Sequence, residues 1–535
     1  MISLHVILAY IVLLWRQLGT IFVVYFVYGV RRKSDLIFTT MKIQFLGAAE
    51  EVTGSKHLIT TNNGHTILLD CGMYQGKGME TDAANRDLGF DPKTLECVVL
   101  SHAHIDHSGL LPYIYKLGFR GDIYCTPATR DLCSIVLADT AYIQAQDVRW
   151  YNKKMDKLHQ PKIEPLYDLK QVDGVMRHFV TVSYDRPIRL FDDTMLTFTN
   201  SGHMLGSAIC NLEITEQEGY VEKPTKKDKW YMENMSAFAP APKNLVKKRI
   251  AFTGDIGRPE SHILPSPMAF PQCDYLITES TYGDRLHEPE ETTEETLLEV
   301  VENTCVRKKG KLLIPSFSVG RTQEIVYVLN NLYNDGRLPH IPVYVDSPLA
   351  VNATEIFRLY MSDLNEGVQD VLRFDDDPFG FNTLKYIKDI NESKQLNHTD
   401  EPSIIIAASG MLEAGRIKHH VANHIADPST TILIVGYCTP TSLGARIQDK
   451  SKRWISIFGM DRKINAEIIK IEAFSGHGDY KEMTDYLSHS IDPKQVKQTF
   501  IVHGEPLAQE AFKGHLHDVG FRNLTIPKKR EAVEL

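Results

Sequence analysis

A nine-residue segment, 101–109, concentrates the side chains that bind metal ions. It holds three histidines and one aspartate within six positions, directly after an apolar run: His102, His104, Asp106 and His107. Imidazole and carboxylate groups are the ligands that borderline divalent metals prefer. His102 and His104, two residues apart, can reach one ion. Asp106 and His107, past the predicted turn, can reach a second.

Four residues cannot fill the coordination shells of two ions, so further ligands must come from other segments. His203 lies among small residues in Ser-Gly-His-Met-Leu-Gly-Ser, where the backbone can approach closely. Asp255, in Thr-Gly-Asp-Ile-Gly, has two oxygens that can bridge two ions. Asp70 follows another apolar run. Its carboxylate suits the role of orienting a metal ligand or a metal-bound water.

The elements that must position these residues are short apolar runs ending in Gly, Ser, Asp or His. Runs of four to seven residues with such ends predict buried strands, and α/β enzymes place their chemistry at strand ends. Helices intervene. After Arg321 the apolar residues follow the spacing of a one-sided helix, at Ile325, Val328, Leu329 and Leu332. The predicted class is therefore α/β.

Composition narrows the class of protein further. The 535 residues are 43% hydrophobic and 24% charged, which indicates a globular chain of more than one domain and excludes a disordered or polytopic membrane protein. The net charge of −9 excludes a nucleic-acid-binding protein whose whole surface is basic, but it allows a local basic groove. Eight cysteines, none in a Cys-x-x-Cys pair, indicate buried thiols in a reducing compartment.

The order of the candidate residues resembles the motifs of the metallo-β-lactamase superfamily: Asp70, the 102–107 segment, His203 and Asp255. Three later segments resemble the motifs of its β-CASP nuclease branch. They are Thr-Glu-Ser-Thr-Tyr-Gly with Glu279, Ser-Gly-His-Gly-Asp with His477, and Val-His-Gly-Glu with His503. The match runs from Met41 to about residue 510.

The resemblance implies an α/β fold built as an αββα metallo-β-lactamase sandwich with an inserted α/β β-CASP domain. We expect the first part of the sandwich at 41–283, with a surface insertion at about 213–246. The β-CASP domain is expected at 284–470, and the C-terminal part of the sandwich at 471–535.

The resemblance also implies a nuclease with an active site between the two domains and two Zn²⁺ ions, with Mn²⁺ as an alternative. One ion would be held by His102, His104, His203 and Asp255, and the other by Asp106, His107, Asp255 and His503. RNA would be cleaved by a hydroxide that the two ions activate, with Asp70 as a supporting carboxylate. His477, hydrogen-bonded to Glu279, would be the general acid, and no nucleotide cofactor is expected.

A histidine at the position of His503 is typical of branch members that act on RNA, so single-stranded RNA is the predicted substrate. The 102–107 segment and Glu279 resemble bacterial and archaeal relatives of the pre-mRNA 3′-end endonuclease, which favours a role in RNA processing or decay. Endonuclease or exonuclease action and a homodimer stay open. Three arginines near Gly-containing turns are candidate phosphate ligands or ordinary ion-pair partners: Arg321, Arg416 and Arg446.

Three other functions remain as alternatives. A small-molecule hydrolase of the thioesterase type would share the ligands up to Asp255 but would not need Glu279, His477 or the inserted domain. A DNA nuclease is the second alternative. An inactive RNA-binding paralogue is the third, although it should have lost ligands and none is missing.

Residues 1–40 differ from the rest of the chain. The stretch from Ile2 to Val30 is mostly apolar, with Arg16 near its middle and a basic flank at 31–33. It is either a single membrane anchor, with the catalytic domains on the cytoplasmic side, or the product of a start site assigned too early. The second interpretation is favoured because Met41 opens a clean strand. Both interpretations predict a cytoplasmic location.

Overall fold

The computed structural model describes residues 40–76, 79–217, 245–287, 293–436, 438–439, 441–471 and 474–535. The N-terminal stretch up to residue 39 and most of the 213–246 insertion lie outside these ranges. The two interpretations of residues 1–40, a membrane anchor or a start site assigned too early, therefore concern a segment outside the described residues. None of the helices in the described ranges combines the length and the apolar character of a membrane span.

Strands and helices alternate along the chain. The strands are β1 (Lys42–Gly47), β2 (Lys56–Thr60), β3 (Thr66–Leu69), β4 (Cys97–Val99), β5 (Asp122–Cys125), β6 (Phe179–Thr181), β7 (Ile188–Phe191), β8 (Thr194–Asn200), β9 (Ala208–Gln217), β10 (Leu245–Phe252), β11 (Tyr275–Thr278), β12 (Lys311–Pro315), β13 (Val343–Val345), β14 (Leu384–Tyr386), β15 (Ser403–Ala407), β16 (Thr431–Ile434), β17 (Trp454–Ile457), β18 (Met460–Lys463), β19 (Glu467–Lys470), β20 (Gln498–Ile501), β21 (Leu524–Thr525) and β22 (Ala532–Glu534).

The α-helices are numbered in the same way. They are α1 (Met79–Arg86), α2 (Ile105–Ser108), α3 (Leu111–Lys116), α4 (Pro127–Leu158), α5 (Leu169–Met176), α6 (Thr293–Val301), α7 (Arg321–Asn334), α8 (Pro348–Leu359), α9 (Glu366–Val371), α10 (Ile390–Gln395), α11 (Gly415–His424), α12 (Leu443–Gln448), α13 (Tyr480–Ser490) and α14 (Pro506–Asp518). The helix predicted after Arg321 is α7.

Two seven-stranded sheets share one architecture. Their strand orders are β22-β1-β2-β3-β4-β5-β6 and β21-β20-β11-β10-β9-β8-β7. In each sheet, one half is antiparallel and the other half is parallel. Strands from the C-terminal part of the chain complete both sheets, because β22 pairs with β1 and β20 pairs with β11.

The two sheets pack face to face around a continuous apolar core. Phe45 of the first sheet and Phe500 of the second lie there with ring centroids 4.9 Å apart. Helices α3, α4 and α5 cover the outer face of the first sheet, and α13 and α14 cover the outer face of the second. The predicted αββα sandwich is thereby confirmed.

The third sheet is built from the chain between residues 311 and 470. Its six strands are all parallel, in the order β14-β13-β15-β12-β16-β19. Apolar clusters lie on both of its faces, one with α7 and α8 and the other with α11. A parallel sheet covered on both faces explains why β12 is buried at every residue and reads as an apolar run. The prediction that the inserted unit is of the α/β class is thereby confirmed.

The inserted unit contacts the sandwich directly. Helix α8 packs against α4, and the hydroxyl of Tyr360 donates a hydrogen bond of 2.8 Å to Asp131 on α4. Asn365 makes a second contact between the inserted unit and the sandwich, because its side-chain amide donates to the carbonyl of Ser261 at 2.8 Å. Helix α4 therefore lies along the junction of the two units.

Candidate metal centre

The predicted ligands come from loops that follow the carboxyl ends of strands in both sheets of the sandwich. The loop between β4 and α2 supplies His102 and His104, and α2 itself supplies Asp106 and His107. The loops after β8, β10 and β20 supply one ligand each. Since the carboxyl ends of parallel strands meet at one edge of a sheet, these loops converge. The structure brings all seven predicted ligands together: His102, His104, Asp106, His107, His203, Asp255 and His503.

Four side chains form the first donor group. The Nδ1 atom of His104 lies 3.1 Å from Nε2 of His102 and 3.2 Å from Nε2 of His203. The Oδ2 atom of Asp255 lies 3.6 and 3.5 Å from the same two Nε2 atoms. An ion bound tetrahedrally at 2.0–2.1 Å separates its donor atoms by about 3.3 Å. The first group therefore has the spacing of a tetrahedral metal site.

Asp106, His107 and His503 form the second donor group. The Nε2 atoms of His107 and His503 are 3.1 Å apart, and Oδ2 of Asp106 lies 3.7 Å from Nε2 of His503. The Oδ1 atom of Asp255 completes the group at 3.4 Å from Nε2 of His107. The second group thus matches the first in spacing and shares one carboxylate with it.

Asp255 lies between the two groups with one oxygen facing each. Its side chain is 2% exposed, and Oδ1 has no hydrogen-bond partner in the described part of the chain. A buried carboxylate oxygen without a partner is costly, so native structures satisfy such atoms. A bound cation would satisfy it, and the donor sets on both sides fit a pair of metal ions.

Burial and charge prepare the side chains of the first donor group for metal binding. Burial lowers the pKa of His104 to about 4 and holds the pKa values of His102 and His203 well below the usual range, so these imidazoles are neutral. Burial would raise the pKa of Asp255, but the charges of His107 and His503 hold it well below its usual range. Neutral imidazole and ionised carboxylate are the forms that bind metal.

His107 is held by Asp70, which lies under the centre. The Nδ1 atom of His107 is 2.6 Å from Oδ2 of Asp70, and the amide of Ser101 donates to Oδ1 at 2.8 Å. The hydroxyls of Ser55 and Ser101 also donate to Oδ2. These contacts turn the Nε2 atom of His107 toward His503, so of the two predicted roles the geometry favours orientation of a ligand.

We expect Asp70→Asn to weaken metal binding about 10- to 100-fold at the second donor group. Loss of the carboxylate removes the charged partner that fixes the ring orientation and tautomer of His107, and such partners typically contribute this much to metal affinity. Metal titration of the chelator-treated full chain measures the change. Ser55→Ala, which removes one hydroxyl from the same carboxylate, is the control, and equal affinities of both variants and the wild type would contradict the prediction.

His477 and Glu279 form a pair beside the donor groups. The Nδ1 atom of His477 lies 3.1 Å from both oxygens of Glu279. Glu279 is fixed by backbone amides, since Ile256 N donates to Oε1 at 2.6 Å and Thr281 N to Oε2 at 3.3 Å. Its side chain is 1% exposed, whereas that of His477 is 22% exposed. The pair therefore presents a solvent-accessible imidazole on a buried carboxylate.

The carboxylate keeps this imidazole protonated. Burial alone would lower the pKa of His477, but the charge and hydrogen bond of Glu279, with a further contribution from Asp255, raise it to about 9. The imidazole ring lies close to the first donor group, because its centroid is 4.5 Å from that of His203. His477 thus places a protonated imidazole next to the candidate metal centre at neutral pH.

Several groups that position the site were not predicted from sequence. The carbonyl of Gly476 accepts from Nδ1 of His203 at 2.8 Å, and the hydroxyl of Thr281 lies 3.2 Å from Nδ1 of His503. His287 donates from Nε2 to the carbonyl of His477 at 2.9 Å. Thr281 and Gly476 lie inside the motifs quoted for Glu279 and His477, so the sequence could have indicated that they belong to the site. No motif in the sequence indicates His287.

The structure places the three candidate arginines in different surroundings. Arg321 is 11% exposed, donates to the carbonyl of Val435 and pairs with Glu324. Arg416 donates to Asp346 and to the carbonyl of Lys388, both at 2.6 Å. Arg446 is half-buried and forms no ion pair within the described part of the chain. The described contacts connect none of the three with the donor groups.

Comparison with protein families matches three segments of the chain. Residues 58–222 match a metallo-beta-lactamase superfamily domain, and residues 322–447 match a Beta-Casp domain. Residues 461–527 match a Zn-dependent metallo-hydrolase RNA specificity domain.

Curated relatives match across nearly the whole chain. Ribonuclease TTHA0252 of Thermus thermophilus is 35% identical over 466 residues, which are 87% of this chain and 93% of that protein. The transcription termination factor FttA of Methanocaldococcus jannaschii is 32% identical over 505 residues, 92% of this chain and 72% of the relative. FttA of Thermococcus kodakarensis is 31% identical over 525 residues, 95% and 73% of the two chains.

Proposed function

The chain belongs to the β-CASP branch of the metallo-β-lactamase superfamily, and from this membership we propose that it is a ribonuclease dependent on two zinc ions. One observation carries the proposal. Two donor groups share the carboxylate of Asp255, and a protonated His477 lies beside them. Hydrolysis of a phosphodiester needs both a pair of cations and a proton donor.

From the two donor groups we assign the ligands of each ion. His102, His104, His203 and Asp255 would hold one ion, and Asp106, His107, Asp255 and His503 would hold the other. When bound, two divalent cations lower the pKa of water and neutralise charge on the phosphate oxygens. Mn²⁺ remains an alternative to Zn²⁺, because both accept nitrogen and oxygen donors.

His477 supplies the proton that the leaving group needs. Its Nδ1–H donates to Glu279, which leaves the proton on Nε2 for transfer to the departing sugar oxygen. Glu279 holds the ring in this orientation and stabilises its charge. Asp70 acts further from the reacting atoms, through its hydrogen bond to His107.

Single-stranded RNA is the substrate that the comparisons favour. One relative is named a ribonuclease, and residues 461–527 match an RNA specificity domain. That segment includes His477, and the histidine at position 503 is typical of branch members that act on RNA. We place the enzyme in RNA processing or decay in the cytoplasm, where its eight free cysteines suit a reducing compartment.

Incubation of the full chain with end-labelled single-stranded RNA tests the proposal. We expect cleavage in the presence of zinc or manganese, loss of cleavage after chelation, and little action on single-stranded DNA of the same sequence. Product lengths distinguish endonuclease from exonuclease action. If the metal-loaded protein left RNA intact and hydrolysed a thioester, the nuclease proposal would be wrong.

We expect Glu279→Gln to move the alkaline limb of the pH–rate profile to lower pH. Glu279 is the group that raises the pKa of His477 most, so its loss lowers that pKa. A proton donor works only below its pKa, and the rate of the variant therefore declines at a lower pH than that of the wild type. Profiles of kcat for RNA cleavage between about pH 6 and 10 measure the shift, and an unchanged alkaline limb would contradict it.

A further inference from the structure

The second half of helix α4 exposes aromatic and basic side chains to solvent. Tyr142 is 61% exposed and Trp150 is 68% exposed. Arg149, Lys153 and Lys157 are exposed as well, and none of them forms an ion pair within the described part of the chain. These five residues define the basic–aromatic face of α4.

The five residues lie together on one side of the helix. At 3.6 residues per turn they fall within an arc of about 100° and extend over about 22 Å. The opposite side of the same half packs against the protein, since Gln144, Val148 and Met155 are partly buried. The two acidic residues of this half lie at the flanks of the face, and Asp156 is paired with Lys162 at 2.9 Å.

Helix α4 connects this face to the candidate metal centre. The hydroxyls of Thr126 and Thr129 at its start donate to the carbonyl of Gly206, at 2.6 and 2.8 Å. Gly206 lies in the loop that carries His203, so the helix begins beside the first donor group. Trp150 follows about 30 Å further along the helix, past Asp131, which the hydroxyl of Tyr360 contacts.

We propose that the basic–aromatic face of α4 binds the single-stranded RNA substrate at a distance from the cleavage site. This inference rests on the proposed function. The cations of this face contact phosphates, and Trp150 and Tyr142 stack on bases. This combination holds single strands without sequence preference. A strand held both here and at the metal centre binds more tightly than one held at the centre alone.

Charge favours RNA over a second copy of the chain as the occupant of this face. A patch of three cations without described partners is complementary to a polyanion, although the protein as a whole carries a net charge of −9. A twofold contact between two copies through this face would bring the same cations together, and like charges in contact oppose association.

Equilibrium binding to RNAs of two lengths tests the inference. All proteins are the full chain with His477→Ala, so that the RNA stays intact, and Kd is measured by fluorescence anisotropy for strands of about 30 and about 5 nucleotides. One variant adds Trp150→Ala, and a second adds Arg149→Ala, Lys153→Ala and Lys157→Ala. The control removes the same charge from scattered exposed lysines, with Lys170→Ala, Lys494→Ala and Lys528→Ala.

We expect Trp150→Ala to raise Kd for the long strand about tenfold, the effect of losing one stacked base. The triple variant should raise Kd further and reduce the slope of log K against log salt by about 2, the value for three phosphate contacts with a single strand. The control variant should bind as the parent does. Kd for the short strand should not change in any variant, because it does not reach the face.

Three results would overturn the inference. If both face variants bound the long strand like the parent, the face would not contact RNA, although cleavage by the wild type would still support the proposed function. If the wild type neither bound nor cleaved RNA, the proposed function would be wrong together with this inference. If Trp150→Ala converted a dimer into a monomer in sedimentation without changing Kd, the face would be a self-association surface.

Discussion

Replacement of His477 with alanine should lower kcat for RNA cleavage about a thousandfold and leave the bound metal unchanged. General acid catalysis by a positioned side chain typically contributes between a hundredfold and ten-thousandfold. The imidazole is held by Glu279 at 3.1 Å and lies outside both donor groups, so its loss removes the proton donor and no ligand. Single-turnover cleavage of labelled RNA and metal analysis of the purified variant measure the two effects.

A substrate that needs no proton on its leaving group separates catalysis from folding. Nitrophenolate departs without protonation at neutral pH, so we expect His477→Ala to retain most of the wild-type rate on a nitrophenyl phosphodiester. His517→Ala on the exposed part of α14 is the matched control, and it should cleave both substrates normally. Equal losses on both substrates, or loss of metal, would show that His477 maintains the site and does not donate the proton.

Much of the candidate site could be predicted from sequence because its residues lie at strand ends. A ligand that follows the buried end of a strand is marked by the change from apolar to polar residues, as at His102 and Asp255. In a parallel sheet such ends meet at one edge, so residues far apart in the chain converge without further information. The same pattern of short buried runs separated by helices predicted the α/β class.

The contacts between distant segments could not be predicted, because they depend on packing. The carbonyl of Gly476 and Nδ1 of His203 are 273 residues apart in the chain, and nothing local in either segment indicates the other. Arg416 shows the same limit. Its sequence surroundings suit a phosphate ligand, yet in the structure its guanidinium donates to the buried carboxylate of Asp346. An arginine beside a turn does not reveal its partner until the sheet is assembled.

We expect Asp255→Ala to lower RNA cleavage about ten-thousandfold and to reduce the bound metal from two ions to less than one. Asp255 is the residue with an oxygen directed at each donor group, so both groups lose a ligand at once. Cations at such a centre stabilise the transition state by several kcal/mol, and each 1.4 kcal/mol corresponds to about a tenfold change in rate. Metal analysis after dialysis and single-turnover cleavage measure the two quantities.

Asp106→Asn is the comparison that tests the bridging position of Asp255. Asp106 is a member of the second donor group, at 3.7 Å from His503, and not of the first, so its loss should leave the ligands of the first group in place and about one ion bound. The shared carboxylate predicts a larger loss of metal for Asp255→Ala than for Asp106→Asn, although each variant removes one carboxylate from the centre. If both variants retained one ion, Asp255 would serve a single group, and the orphaned Oδ1 atom would require another explanation.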